Sequence, residues 1–230
     1  MRRGALIAIE GIDGTGKGTQ ARMLMEALAR TGRKAQLFSF PSYSKTLAGS
    51  LVGAYLDGEM GDPRAIDSRL TAVLYALDRF ENKKEMDQAL ARGRVVVCDR
   101  YVGSNLAHQV ARAPAARRRA VRELIERLEF EVLGLPRPDL VVCLDMPAAL
   151  AQQRVLGKAA RDYTKKQLDV QEADSEHLRL ALAEYRLQAR RNPHWVTVPT
   201  VRRGGAARSR EEIHAEVLEA LADAGIVRAA

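Results

Sequence analysis

Cysteine is scarce in this chain: Cys98 and Cys143 are the only two among 230 residues. Each sits in a valine run, so both read as buried thiols rather than as a disulfide or a metal pair. A reducing, cytoplasmic setting is the expectation that follows. Aromatic residues are few as well, at 5%. Binders of single-stranded nucleic acid interleave aromatics with basic residues for base stacking. The densest basic run here, Arg117, Arg118, Arg119 and Arg122, contains none, and it reads as the solvated face of a helix. No apolar stretch approaches the roughly 20 residues that span a bilayer. Met1-Arg2-Arg3 before the apolar residues 5–9 looks briefly like a signal peptide. The run is too short, and it stops at Glu10 inside a glycine-rich turn. Neither nucleic acid nor membrane is an expected partner.

What is present is an ordinary globular composition, 47% hydrophobic and 29% charged. It excludes disordered, collagen-like and fibrous chains. The length suits a single domain over 1–230 with a small insert. Lys plus Arg outnumber Asp plus Glu by 37 to 29, a net charge of +8. That points to an anionic partner without naming it.

Apolar runs at 5–10, 35–40, 94–99, 140–145 and 195–199 read as strands. They are nearly continuous, as expected for a parallel sheet covered on both faces by helices. Between them lie helical periods at 17–31, 67–92, 117–133 and 169–190, and a last one at about 211–224. Ser209 is placed to cap that last helix and Gly225 to stop it. In 67–92, Leu70, Leu74, Leu77 and Phe80 make a stripe that suits either the sheet or a second copy of the chain. Strand–helix alternation argues a three-layer α/β fold.

The first strand runs into Gly11-Ile12-Asp13-Gly14-Thr15-Gly16-Lys17-Gly18-Thr19, which opens the first helix. Glycines there let backbone N–H groups turn around a phosphate, and the helix N-terminus adds partial positive charge. Lys17 can reach the outer phosphates of the bound group. The usual Ser or Thr after the lysine, a ligand for Mg²⁺, is replaced by Gly18, leaving Thr19 or a bridging water for that task. A switch GTPase is not indicated, since Asn82-Lys83-Lys84-Glu85 lacks the aspartate that reads guanine.

Four further segments, in order, carry a resemblance. They are Phe40-Pro41-Ser42-Tyr43; Tyr75-Ala76-Leu77-Asp78-Arg79; Asp99-Arg100-Tyr101 with Ser104, Asn105, His108 and Gln109; and Leu135-Pro136-Arg137-Pro138-Asp139 leading to Asp145. Over about residues 4–200 the chain resembles the thymidylate kinases, and looks closest to the bacterial branch that keeps Phe-Pro-x-Tyr. The resemblance implies a P-loop kinase fold with a five-stranded parallel sheet and a small lid. It implies ATP-dependent phosphorylation of dTMP to dTDP, Mg²⁺, a homodimer and a role in deoxynucleotide biosynthesis.

It also implies roles for residues. Gly11, Asp13, Gly14, Thr15, Gly16, Lys17, Gly18 and Thr19 hold ATP. Asp13, Phe40, Tyr43, Tyr75, Arg79, Arg100, Ser104, Asn105, His108 and Gln109 surround dTMP. Among these, Tyr75 stacks on thymine, Arg79 meets the 4-carbonyl and Asn105 pairs with the base edge. Arg100 holds the acceptor phosphate, while Asp99 and Thr19 are the metal candidates. A lid at about 154–168 contributes Arg154, Lys158 and Arg161. Arg161 is the first choice for the catalytic arginine, alongside Lys17 and Arg100. Without the family, Tyr75 reads as core and Arg79 as a surface charge. His108 departs from the aromatic residue common at its position, which opens the question of how a ribose 2′-hydroxyl is refused. Another monophosphate kinase, of adenylate-kinase type, and a nucleotide-binding protein without catalysis are the alternatives.

Overall fold

In a computed structural model, residues 3–156 and 175–227 are described. Five strands, β1 (Leu6–Glu10), β2 (Ala35–Ser39), β3 (Val95–Asp99), β4 (Leu140–Asp145) and β5 (Trp195–Pro199), form one sheet. Their order is β2-β3-β1-β4-β5, and every pairing is parallel. Each strand matches its apolar run to within a residue.

The helices are α1 (Lys17–Arg30), α2 (Leu47–Asp57), α3 (Ser68–Ala91), α4 (Val102–Arg112), α5 (Arg118–Glu126), α6 (Ala148–Leu156), α7 (Ser175–Arg191) and α8 (Arg210–Asp223). Successive side chains of a strand point to opposite faces, and the core divides accordingly. Leu6, Ala8, Val96 and Cys98 pack with Met86 of α3, Leu106 and Val110 of α4, and Ile125 of α5. Ile7, Ile9, Val97 and Val142 pack on the other side with Leu24 and Leu28 of α1 and Val217 and Leu221 of α8. Leu182 and Tyr185 of α7 close a third cluster with Ala107 and Cys143. Both cysteines are buried free thiols, and burial pushes the Cys143 pKa up to about 12.

Three helices, α2, α4 and α6, are additional to those read from periodicity. The α4 sequence opens Val102-Gly103-Ser104-Asn105, a run of poor helix formers. Its start is instead held from outside by Glu10, described below. The helix read over 117–133 is α5 continued by a π-helical turn at Arg127–Val132. In α8 Ser209 accepts from the Glu212 N–H and Glu212 answers it, a complete capping box. Gly225 follows at φ 66°. The helix expected over 169–190 is seen as α7, and its first part, Asp169 included, lies outside the described residues. Of that stripe on α3, Leu70, Leu77 and Phe80 are exposed, as is Val73 beside them, while Leu74 packs against Val52, Tyr55 and Leu56 of α2; the stripe does not face the sheet.

Candidate active site

The glycine-rich turn leaves the carboxyl end of the central strand β1 and enters α1. Gly14 sits at φ 86°, and a Cβ there would come within 2.3 Å of the Ala151 carbonyl oxygen. Glycine is therefore required for the turn to pass under α6. Gly16 caps α1 without a side-chain hydrogen bond. The first N–H groups of the helix are thus left to a ligand, the arrangement that suits a phosphate. The Thr15 hydroxyl donates to the Ile12 carbonyl at 2.9 Å, and Lys17 Nζ donates to the same oxygen at 2.9 Å. Lys17 Nζ also stands 3.7 Å from Asp13. Burial lowers the Lys17 pKa to about 8, with Arg100 adding to the effect and Asp13 opposing it.

Gly18 bears on the metal. A Cβ at this position would lie 2.9 Å from Asp99 Oδ2. The missing side chain lets the Asp99 carboxylate approach the start of α1. The Asp99 carboxylate could there offer a hard oxygen to Mg²⁺, with Thr19, one residue on from Gly18, the other candidate. Among the described residues no three His, Cys, Asp or Glu side chains converge on one point.

Arg100 follows β3 in the left-handed region, at φ 66°. Its guanidinium contacts the Asp13 carboxylate, donates to Ser104 Oγ at 3.1 Å and faces His108 Nε2 at 3.5 Å. Beneath it lies Glu10, which is fully buried. Glu10 accepts from the Tyr101 N–H at 2.8 Å, the Ser104 N–H at 3.0 Å and the Ser104 hydroxyl at 2.6 Å. Tyr185 Oη adds a fourth donor at 3.3 Å. A strand carboxylate thus satisfies the open amides at the start of α4. Burial raises the Glu10 pKa, while the Ser104 bond and Arg100 pull it down. A Cβ on Gly103 would meet Glu10 Oε1 and the Trp195 ring at 2.8 Å, so glycine is needed there for close approach.

The base-recognition candidates are joined by a residue that sequence reasoning missed. Arg79 is 1% exposed, not a surface charge. It makes a two-pronged pair with Glu129, Nε to Oε2 at 2.6 Å and Nη2 to Oε1 at 2.5 Å. Glu129 belongs to the π-helical turn, whose wider spacing turns its carboxylate inward. Asn105 Nδ2 donates to Glu129 at 2.7 Å and to the Ala72 carbonyl at 3.0 Å. The Asn105 amide is thereby fixed, and its Oδ1 is buried with no hydrogen-bond partner. Tyr75 and Tyr43 pack on one small cluster with Val52, Tyr55 and Leu56. Phe40 stacks on Phe38, rings 6.5 Å apart, and the Phe40–Pro41 peptide is cis.

Gln109 is turned to another task, accepting from Thr71 at 2.7 Å and from Arg112 at 3.1 Å. Arg154 is exposed in the last turn of α6, and Lys158 and Arg161 lie outside the described residues. Glu10, Glu129, His177 and Tyr185 are the contributors not read from sequence. Glu10 alone left a signal, a carboxylate ending a strand that is otherwise wholly apolar.

A family model described as thymidylate kinase matches residues 9–193. A thymidylate kinase of Mycobacterium tuberculosis is 41% identical over 158 residues, 68% of this chain and 73% of that protein. A probable thymidylate kinase of Pyrococcus horikoshii is 34% identical over 218 residues, 94% of this chain and 95% of its own. Human thymidylate kinase is 34% identical over 153 residues, covering 66% of each chain. These relatives are bacterial, archaeal and human, so the similarity is not confined to one branch. Among solved structures, a thymidylate kinase from Candida albicans superposes with a TM-score of 0.73 at 20% identity, over 97% of this chain and 93% of that one. At that identity the superposition speaks for the fold.

Proposed function

The chain belongs to the thymidylate kinase family, and from that premise we propose how its own residues carry out the transfer. The enzyme phosphorylates dTMP to dTDP with ATP as donor. An oxygen of the dTMP phosphate attacks the γ-phosphorus of ATP in line. The new P–O bond forms as the bond to ADP breaks, with no covalent enzyme intermediate.

In this reading the uncapped start of α1 and the turn 11–19 hold the ATP phosphates. Lys17 Nζ leaves the Ile12 carbonyl for the β- and γ-oxygens. Arg100 holds the acceptor phosphate with its planar fork, and Asp13 and Ser104 keep that fork in place. Asp99 and Thr19 would hold Mg²⁺, which neutralises charge on the phosphates when bound. Arg161 would supply the transition-state guanidinium, with Arg154 and Lys158 assisting.

The observation that carries the acceptor assignment is Asn105 Oδ1. Its amide nitrogen is fixed by Glu129 and Ala72, so the buried oxygen can only accept. Thymine offers N3–H, a donor. Cytosine N3 and adenine N1 are acceptors and would leave two lone pairs opposed. Tyr75 would cover the face of the ring and Arg79 its 4-carbonyl. A panel of monophosphates with ATP and Mg²⁺ tests this: dTMP should give the highest kcat/KM, and a higher value for AMP or dCMP would overturn the assignment.

The exposed stripe on α3 supports a homodimer. Leu70, Val73, Leu77 and Phe80 recur at helical spacing beside Leu47 and Leu51 of α2, all exposed. Sedimentation should give a dimer, and Leu77→Asp should shift it to monomer. The two buried free thiols suit a reducing cytoplasm.

A further inference from the structure

We propose that His108 and His177 form a pair of neutral imidazoles that positions the Arg100 guanidinium for the acceptor phosphate, with His177 acting through His108. The inference rests on reading Arg100 as the group that holds that phosphate. It adds two positioning residues on different helices, α4 and α7.

The argument begins at the backbone. A non-glycine residue at φ 66° is held there only where its surroundings over-determine it. The Arg100 side chain is fixed on three sides, by Asp13, by Ser104 and by His108. A guanidinium has five N–H donors and no acceptor. His108 Nε2, 3.5 Å from Arg100 Nη1, can face it favourably only with a bare lone pair. The His108 proton therefore resides on Nδ1. That atom lies 3.1 Å from His177 Nε2, which must accept and so must also be unprotonated. One guanidinium thus dictates the tautomer of two rings in series.

The surroundings are those of a neutral pair. His108 and His177 are 8% and 7% exposed, with ring centroids 5.3 Å apart. The edge of Tyr185 packs against His108 at 6.2 Å. Burial, then Arg100, then His177 hold the His108 pKa well below the usual imidazole value. Tyr185 also reaches Ser104 Oγ at 2.9 Å. Two arms therefore run from α7 to Arg100, His177–His108 and Tyr185–Ser104, starting two turns apart on one helix. A protonated His108 would present N–H to N–H toward Arg100 and release one of the three restraints.

The test uses the full-length enzyme with three variants. His177→Leu removes the acceptor, His177→Gln offers an amide oxygen in its place, and Arg100→Met removes the clamp. A neutral hydrogen bond of this kind moves an equilibrium by about 2- to 10-fold. His177→Leu should therefore raise the KM for dTMP by that factor with the KM for ATP unchanged, and His177→Gln should restore it. Nitrogen-15 spectra of wild-type imidazoles should show His108 as the Nδ1–H tautomer. An Nε2–H tautomer, or an unchanged dTMP KM in His177→Leu, overturns the proposal. The wild-type spectrum keeps it falsifiable if a variant folds poorly. Arg100→Met separates the two readings. A steep rise in its dTMP KM with none in His177→Leu removes only the imidazole pair; no rise in Arg100→Met removes the reading of Arg100 itself.

Discussion

Glu129→Ala should lower the thermal midpoint by about 6–20 °C while leaving a folded protein. The magnitude follows from what the substitution strands. Arg79 is 1% exposed and Glu129 0%, and their two hydrogen bonds of 2.6 and 2.5 Å leave no room for water between them. Burial works against the charge of Arg79, and Glu129, with smaller help from Asp78 and Tyr101, opposes it, so the net effect raises its pKa. Removing one member of such a pair leaves the other charge uncompensated, at about 3–5 kcal/mol. The Asn105 amide keeps its bond to Ala72 and adds little. For a chain of this size each kcal/mol moves the midpoint by about 2–4 °C. Glu129→Gln keeps the shape and one acceptor, so it should fall between wild type and alanine. Replacing both Arg79 and Glu129 by methionine should recover much of the loss, because the pair is then gone rather than broken. Circular dichroism melts with parallel urea titrations read all three. A drop below about 2 °C in Glu129→Ala would refute the reasoning, since it would mean that Asp78 or water takes over the guanidinium at no cost.

Lys17 should titrate in the functional range. Its pKa of about 8 lies below the 10.5 of an ordinary lysine, so the unfolded chain binds more protons between those values, and stability should rise with pH across that window and be flat below it. Phosphates favour the charged form, so ATP binding at about pH 8.5 should take up protons; calorimetry in two buffers of different ionisation heat would show equal heats if this is wrong. His108→Tyr should raise the preference for dTMP over ribothymidine monophosphate by roughly 10-fold or more, the scale of a single added clash. Equal deoxy-to-ribo ratios in the two proteins would remove His108 as the sugar gate. Arg161→Ala should lower kcat by about 10³-fold with little change in dTMP affinity, as for a group that acts in the transition state; a larger turnover loss in Arg154→Ala or Lys158→Ala would reassign the role.

What could be read from the sequence follows physical range. The strands were legible because a buried parallel strand needs an unbroken apolar run, and Leu140–Asp145 and Trp195–Pro199 end on residues that stop one. The phosphate turn was legible because its chemistry is local, with glycines at 11, 14 and 16 and Lys17 one step on. Helix α4 was hidden because its start depends on Glu10, which reaches it across the sheet rather than through its own capping residue. Arg79 read as a surface charge for the same reason. Its counter-ion stands 50 positions away, and a π-helical turn, which breaks the 3.6-residue period, aims it inward. The Tyr185–Glu10 contact spans 175 positions. No window of sequence contains both ends of such an interaction.

The position of β1 in the sheet carries a consequence for biosynthesis. It lies between β3 and β4, so Ile7 waits for Val97 on one side and for Leu140 on the other. Of the five strands it leaves the ribosome first, and before Glu10 it is apolar on both faces. At about 5–20 residues per second, the stretch from Ile7 to Leu140 takes roughly 7–27 s to make. During that time the edge of β1 that faces β4, apolar up to Glu10, has no native partner, and its pairings, when they come, close long loops. The growing chain is therefore most exposed to self-association, and most dependent on chaperones, before its fourth strand appears. A pause in translation ahead of β4 should lower the soluble yield far more than one placed after it.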